Sequence, residues 1–355
     1  MELTTIWFVL IAVLWIGYFV LEGFDFGVGM LLPILDKTGG KSPEEADKRR
    51  RVMLNTIGPV WDGNEVWVLT AGGATFAAFP HWYATLFSGF YLPLLLILLA
   101  LIVRNLGFEY RHKRDEPQWK ARWDLAIIIG SFVPALLWGV AFANIVNGVP
   151  LEPIVAGNEA PYVEYTGTLF TLLGPIGLLG GLTTLGLFLT HGAMYIALKT
   201  EGELRQDARA FAWKSGLVTA VLAVAFLVWT NINTGSVLSW VLSVLAAVAL
   251  VGGLLAVRVG REGWAFTGTF VTIAVAVAAL FAALFPDVMP SSIDPAYNLT
   301  AVNAASSTLT LQIMTGAALL FTPIVLAYQG WTYWVFRKRI GTRHLPSAQL
   351  EASHK

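Results

Sequence analysis

Cysteine is absent from the 355 residues. Its absence excludes disulfides, thiolate-ligated haem, iron–sulfur clusters and cysteine nucleophiles from this chain. Charge is also scarce, at 13% of residues against 56% hydrophobic. Soluble domains carry roughly 25% charged residues, so this chain cannot cover a water-facing surface, and a bilayer is the solvent that suits it. The net charge of zero speaks against a polyanionic partner such as nucleic acid. Met1 to Thr5 contain no basic residue ahead of a long apolar run. The start therefore lacks the positive region of a cleaved signal peptide, and the first helix is expected to be retained. Phosphate loops, zinc-ligand spacings and hydrolase constellations are missing too.

What is present is a series of apolar runs at about 6–34, 55–79, 82–104, 123–146, 166–198, 210–230, 236–257, 263–285 and 306–336. A span needs about 20 residues at 1.5 Å each. The expectation is an all-α integral membrane fold of about nine transmembrane helices in packed four-helix bundles. It forms one membrane domain over 1–339, with a short polar tail over 340–355.

The basic residues test this division. Lys37, Lys41 and Lys48 to Arg51 follow the first run; Arg104, Arg111, Lys113, Arg114, Lys120 and Arg122 follow the third. Lys199, Arg205, Arg209 and Lys214 follow the fifth, Arg258 and Arg261 the seventh, and Arg337, Lys338, Arg339, Arg343 and Lys355 the last. These five segments hold all 23 Lys and Arg of the chain. The other connections hold only acids, among them Glu152, Glu159, Glu164, Asp287 and Asp294. By the positive-inside rule the N-terminus is expected outside and the C-terminus in the cytoplasm. Trp82, Tyr83, Trp119, Trp123, Trp331, Tyr333 and Trp334 are placed near the membrane interfaces, and Phe285 to Asn298 reads as an ordered extracytoplasmic turn.

Ionisable residues inside spans carry the most information in a membrane protein. They concentrate in Glu22-Gly23-Phe24-Asp25 of the first run and Trp61-Asp62-Gly63-Asn64-Glu65 of the second. Glu22 and Asp25 are three apart, as are Asp62 and Glu65, so each pair shares a helix face. Asp25 lies about 28 Å along the first helix from Ile6, and Asp62 about 10 Å beyond Asn55. All four acids are thus expected in the cytoplasmic half, facing a packed or watery interior. Carboxylates so placed can exchange protons with water chains, which reads as a cytoplasmic proton-uptake path. A buried structural network, paired to Asn64, Trp indoles or Arg104, and a cation site read the same residues differently. Glycines 17, 23, 27, 29, 58, 63, 72 and 73 suggest close helix packing, and Pro59 is placed in the first turn of the second helix.

The five histidines are His81, His112, His191, His344 and His354. Only His191 lies near membrane depth. Met194, one turn on, cannot bind the opposite face of the same iron, so His191 reads as a polar packing residue. This chain is not expected to ligate a metal or hold several haems alone. A proton- or cation-coupled transporter acting by itself fits the same composition.

The segments Glu22 to Gly29 and Trp61 to Trp67 resemble the signatures of cytochrome bd-type quinol oxidase subunit II. Phe87 to Tyr91, Gly130 to Pro134, Gly139 to Asn144, Phe285-Pro286, Val288 to Ser292 and Leu309 to Leu311 extend the likeness along nearly the whole chain. The resemblance implies a subunit of a terminal oxidase of the bacterial cytoplasmic membrane, which oxidises quinol and reduces dioxygen to water without pumping protons. It implies a heterodimer with subunit I, which ligates two haem b and one haem d and forms the quinol site, with small accessory subunits and a structural quinone or lipid as further components. It associates Asp62 with proton delivery; Glu22 and Asp25 fit its motif either as proton carriers or as braces of the helix interface, Glu65 joins the expected path, and Trp61, Asn64 and Arg104 are expected in structural roles. It also allows Gln in place of Glu65 and of His191.

Overall fold

The computed structural model describes residues 2–154 and 162–345. Glu159, His354 and the tail from 346 onward lie outside them. The helices are α1 (Leu3–Leu35), α2 (Pro43–Ile57), α3 (Trp61–Ala78), α4 (Pro80–Gly89), α5 (Tyr91–Tyr110), α6 (Pro117–Asn147), α7 (Leu169–Leu172), α8 (Pro175–Lys199), α9 (Gly202–Thr234), α10 (Val237–Arg258), α11 (Glu262–Leu284) and α12 (Thr308–Val335). Among the described residues eight helices are long and apolar enough to cross a membrane: α1, α5, α6 and α8 to α12.

The second expected span is interrupted. Ser42 caps α2 through the Glu45 amide, Glu45 caps it in return, and Pro43 opens the first turn. The helix stops at Gly58-Pro59-Val60 and restarts at Trp61. Pro59 therefore lies in the break rather than inside a first turn, since it can donate no backbone hydrogen bond to continue α2. What remains, α3, is 18 residues long, about 27 Å at 1.5 Å per residue. Its polar start, Asp62 to Glu65, keeps it less apolar than the others. The third expected span divides similarly at Phe90, between α4 and α5.

Helices α8, α9, α10 and α11 pack in a ring, each against the next. Helix α1 lies between this bundle and a second group made of α3, α5 and α6. An aromatic cluster fills the seam: Trp15, Tyr18, Phe19 and Phe26 of α1 meet Trp138 and Phe142 of α6 and Phe188 of α8. Helix backbones touch where glycines meet. A Cβ on Gly27 would stand 2.0 Å from the Phe188 carbonyl oxygen, and one on Gly192 2.6 Å from the Gly27 backbone. Trp82 is buried beside Phe79. Helix α12 is peripheral, with Leu311 its one buried residue.

The two ends of the bundle differ in chemistry. At one end, ion pairs join the basic segments. Arg50 bridges Asp36 and Asp124, Arg111 bridges Asp124 and Asp47, Arg49 meets Asp207, and Glu262 gathers Arg205, Arg209 and Arg339. At the other end, two short hairpins, β1 (Leu151–Ile154) with β2 (Tyr162–Tyr165) and β3 (Asp287–Met289) with β4 (Leu299–Thr300), close the connections. The segment from Phe285 to Asn298 is ordered there by Asn298 Nδ2 donating to Asp287 at 2.7 Å and by Asp294 accepting from the Ala296 amide at 2.9 Å. Ser306 N donates to Ala78 O at 2.8 Å, bringing the start of α12 to the end of α3.

Candidate functional site

The buried acids of α1 each meet a partner from another helix. Glu22 forms an ion pair with Arg104 of α5, and neither side chain exposes any surface. Arg104 was expected in a basic loop; α5 continues past it to Tyr110, which draws the guanidinium inside. It lies 4.7 Å from the Phe26 ring centroid and 4.9 Å from that of Phe108, so aromatic faces supply attraction where water is excluded. Three of its neighbours keep a buried oxygen without a partner among the described residues: Glu22 Oε2, Asp25 Oδ1 and Asn105 Oδ1.

Asp25 belongs to a second cluster, tied to α3 and α12. Asn64 Nδ2 donates to Asp25 Oδ2 at 2.7 Å. The Asn64 Oδ1 accepts from the Tyr333 hydroxyl at 2.7 Å and from Gln329 Nε2 at 3.3 Å. Trp67 Nε1 in turn donates to Gln329 Oε1 at 3.0 Å. Sequence reasoning found Asn64 and Asp25 but not Gln329, and it placed Tyr333 only among the aromatics near a membrane interface. Their four-residue spacing, which puts both on one face of α12, was the available signal.

Asp62 and Glu65 are not part of this interior. Glu65 is half-buried and accepts from Asn105 Nδ2 at 2.7 Å. Trp61 is half-buried too, its ring 5.2 Å from that of Phe108. Asp62 faces outward from the chain, so the structure brings only Glu22, Asp25 and Glu65 of the four acids toward the packed interior. The reason is helical phase: Asn64 turns inward to Asp25, which rotates Asp62 to the opposite side of α3. Asp62 heads an exposed stripe that continues through Val66, Leu69, Gly73 and Phe76, positions spaced three and four apart. Its carboxylate makes no hydrogen bond or ion pair within the described residues, and the stripe below it is apolar.

His191 is buried, with Nε2 3.2 Å from the Val20 carbonyl and Nδ1 2.7 Å from the Thr269 hydroxyl. Its ring stacks on Phe266 at 4.6 Å. Both nitrogens are taken by protein groups, so this residue does not fit axial haem ligation. His81 and His112 are exposed, and His344 binds its own turn through Gly341.

Comparison with known proteins bears on these features. The family model described as cytochrome bd terminal oxidase subunit II matches residues 3–336. The cytochrome bd-I ubiquinol oxidase subunit 2 of Escherichia coli strain K12 is 39% identical over 370 residues, covering 94% of each chain. The cytochrome bd ubiquinol oxidase subunit 2 of Bacillus subtilis is 40% identical over 344 residues, covering 96% of this chain and 97% of its own. The structure of bd oxidase from Geobacillus thermodenitrificans superposes with a TM-score of 0.73 at 18% identity, covering 95% of this chain and all of that one, a likeness of fold. Identity at this level along nearly the whole length, on the same helical architecture, means that the chain belongs to the cytochrome bd terminal oxidase subunit II family.

Proposed function

We propose that this chain is the scaffold for a haem-bearing subunit I and supplies part of a cytoplasmic proton-uptake path, with Asp62 at the shared interface. As a family member it is a multi-pass subunit of a quinol oxidase complex, an oxidoreductase of the bacterial inner membrane. Reducing dioxygen to water consumes protons, and the complex must deliver them from one side of the membrane. The observation that carries the reading is Asp62 itself. A carboxylate at the head of an exposed apolar stripe is costly against lipid, so a protein partner or a water-lined contact is what makes it tolerable. Half-buried Glu65 and then Glu22 and Asp25, both fully buried, continue inward from it.

Nine membrane crossings with the N-terminus outside fit the same picture. Helix α3 joins the ends that α1 and α12 join, and every basic connection lies at one end, which the positive-inside rule assigns to the cytoplasm. The two haem b and one haem d are assigned to subunit I, because His191 is engaged on both nitrogens, and no step of the reaction is drawn through this chain's histidine. An apolar cavity of about 110 Å³ between α8, α9, α10 and α11, lined by Phe188, Phe226, Leu250 and Ile273, suits a stretch of lipid or isoprenoid chain. Nothing among the relatives supports a transporter acting alone.

The test is Asp62→Asn in the purified complex. Haem absorption should be unchanged while quinol-dependent oxygen consumption falls by about 10²-fold, the low end of what a positioned proton-transfer group contributes. Normal haems with normal turnover would reduce the chain to a scaffold.

A further inference from the structure

An indole nitrogen can only donate a hydrogen bond. Trp67 Nε1 donates to Gln329 at 3.0 Å, so the atom it meets must be the amide oxygen. The amide nitrogen of Gln329 then faces Asn64 and donates to Oδ1. With Oδ1 turned that way, Nδ2 of Asn64 is the atom left for Asp25, and it donates to Oδ2. Side-chain amides can otherwise sit either way round. Here a donor-only neighbour at the head of the row sets the direction of every bond, and the Leu21 carbonyl, which accepts from Asn64 Nδ2 at 3.4 Å, agrees with it. Tyr333 also meets Asn64 Oδ1, but a hydroxyl can donate or accept and so imposes no direction.

Trp67 is itself held in place. A Cβ on Gly17 would lie 2.1 Å from the indole Cε3 and Cζ3 atoms, so the ring rests against the bare backbone of α1. At the far end of the row, Asp25 Oδ1 is buried and has no partner within the described residues. The two oxygens of one carboxyl are therefore unequal. One permanently receives a hydrogen bond, and the other is free.

We infer that Trp67, Gln329 and Asn64 form a one-way hydrogen-bond row that keeps Asp25 Oδ2 an acceptor, so that a proton on Asp25 arrives and leaves only at Oδ1. The three are positioning residues, acting on Asp25 through Asn64. The inference rests on the proton-path reading for the purpose of that exchange, though not for the geometry. Its value to the path is directional. A carboxyl able to hold its proton on either oxygen can bury it against Asn64, which cannot accept it, whereas one pinned at Oδ2 offers its proton only at Oδ1, with Glu22 three residues away on the same face of α1.

Infrared difference spectroscopy on the intact oxidase complex reads this directly. Asp25→Asn identifies the C=O stretch of protonated Asp25 by its loss. In the wild type this stretch should be a single band, lowered by the hydrogen bond from Asn64. Trp67→Phe keeps an aromatic ring but removes the donor that sets direction, so the band should split, with a second component at higher frequency and haem absorption unchanged. Gln329→Met, on the peripheral α12, should move the band similarly if Trp67→Phe does not assemble. An unmoved band in both variants, or no wild-type band lost in Asp25→Asn, overturns the inference; a packing role alone would change yield and leave the band in place. Oxygen consumption in the same preparations separates the two readings. A split band in Trp67→Phe together with normal turnover in Asp25→Asn keeps the row and removes Asp25 from the path, whereas an unmoved band in Trp67→Phe together with collapsed turnover in Asp25→Asn does the reverse.

Discussion

Glu22 and Arg104 meet as an ion pair with no exposed surface on either side chain, joining α1 to α5. Such a pair gains little over an apolar replacement of both members, because burying two charges costs nearly what their attraction returns. Removing one member is different, since the other is left buried and charged. Arg104→Met should cost about 3–5 kcal/mol and Glu22→Gln a comparable amount, with the double variant losing less than the sum. Thermal unfolding of the purified complex across this double-mutant cycle checks the prediction, and additive losses would mean that the pair is not the linkage.

Gly27 and Gly192 predict a second effect. Any Cβ on Gly27 meets the Phe188 backbone carbonyl at 2.0 Å, and backbone cannot turn aside as a flexible side chain can. Gly27→Ala should destabilise by about 1–3 kcal/mol, the usual range for overpacking, as α1 and α8 are pushed apart. Gly252→Ala, where a Cβ meets nothing within 4 Å, should be neutral or gain up to about 1 kcal/mol from helix propensity. Equal melting temperatures for the two variants would contradict the close approach of α1 and α8.

The contrast between these glycines shows what could be read from the chain alone. Apolar runs were enough to locate the eight helices that, among the described residues, are long and apolar enough to cross a membrane, because hydropathy acts residue by residue. The break at Gly58-Pro59 was visible as residues, yet the apolar run around it masked the restart at Trp61. Spacing put Asp62 with Glu65 on one side of a helix without indicating which side faces inward. That choice depends on Asn64 finding Asp25, a contact between helices far apart in sequence. Gln329 escaped notice, and Tyr333 was read only as an interface aromatic, for the same reason: both are neutral groups whose partner lies over 260 positions away. Asp36, Asp47 and Asp124 were likewise passed over, although they organise the basic end.

Asp47, on α2 outside the spans, yields a pH prediction. Burial pushes its carboxyl up, but the hydrogen bond and charge of Arg111, with Lys120 beside it, outweigh burial and hold it below the ordinary carboxylate range. A carboxylate with a lowered folded-state pKa adds stability that is complete above its unfolded value, about 3.9, and is lost as pH falls through the folded value. The melting temperature of wild type should therefore exceed that of Asp47→Asn by a constant margin from neutral pH down to about 5, with the margin closing below about 4. A margin that instead grows on acidification would give the wrong sign and remove Asp47 from the network's stabilising members.

The outward stripe of α3 supports the last prediction. Gly73 is exposed between Leu69 and Phe76, and a Cβ built on it meets nothing within 4 Å, so no packing inside this chain calls for its small size. In a bilayer, small residues on an open helix face permit another helix to approach closely. The same stripe begins at Asp62, whose carboxylate needs cover. Gly73→Trp should therefore leave this subunit folded and in the membrane at wild-type levels, because the new ring points away from its own core. The haem-bearing partner should be lost on purification, since the ring would occupy the space of an approaching helix. Asp62 should become reactive toward a lipophilic carbodiimide in Gly73→Trp membranes while remaining protected in the wild-type complex. Wild-type recovery of the partner with Gly73→Trp would move the interface to another face, and Asp62 would then have to be protected by water or lipid headgroups at the basic end instead.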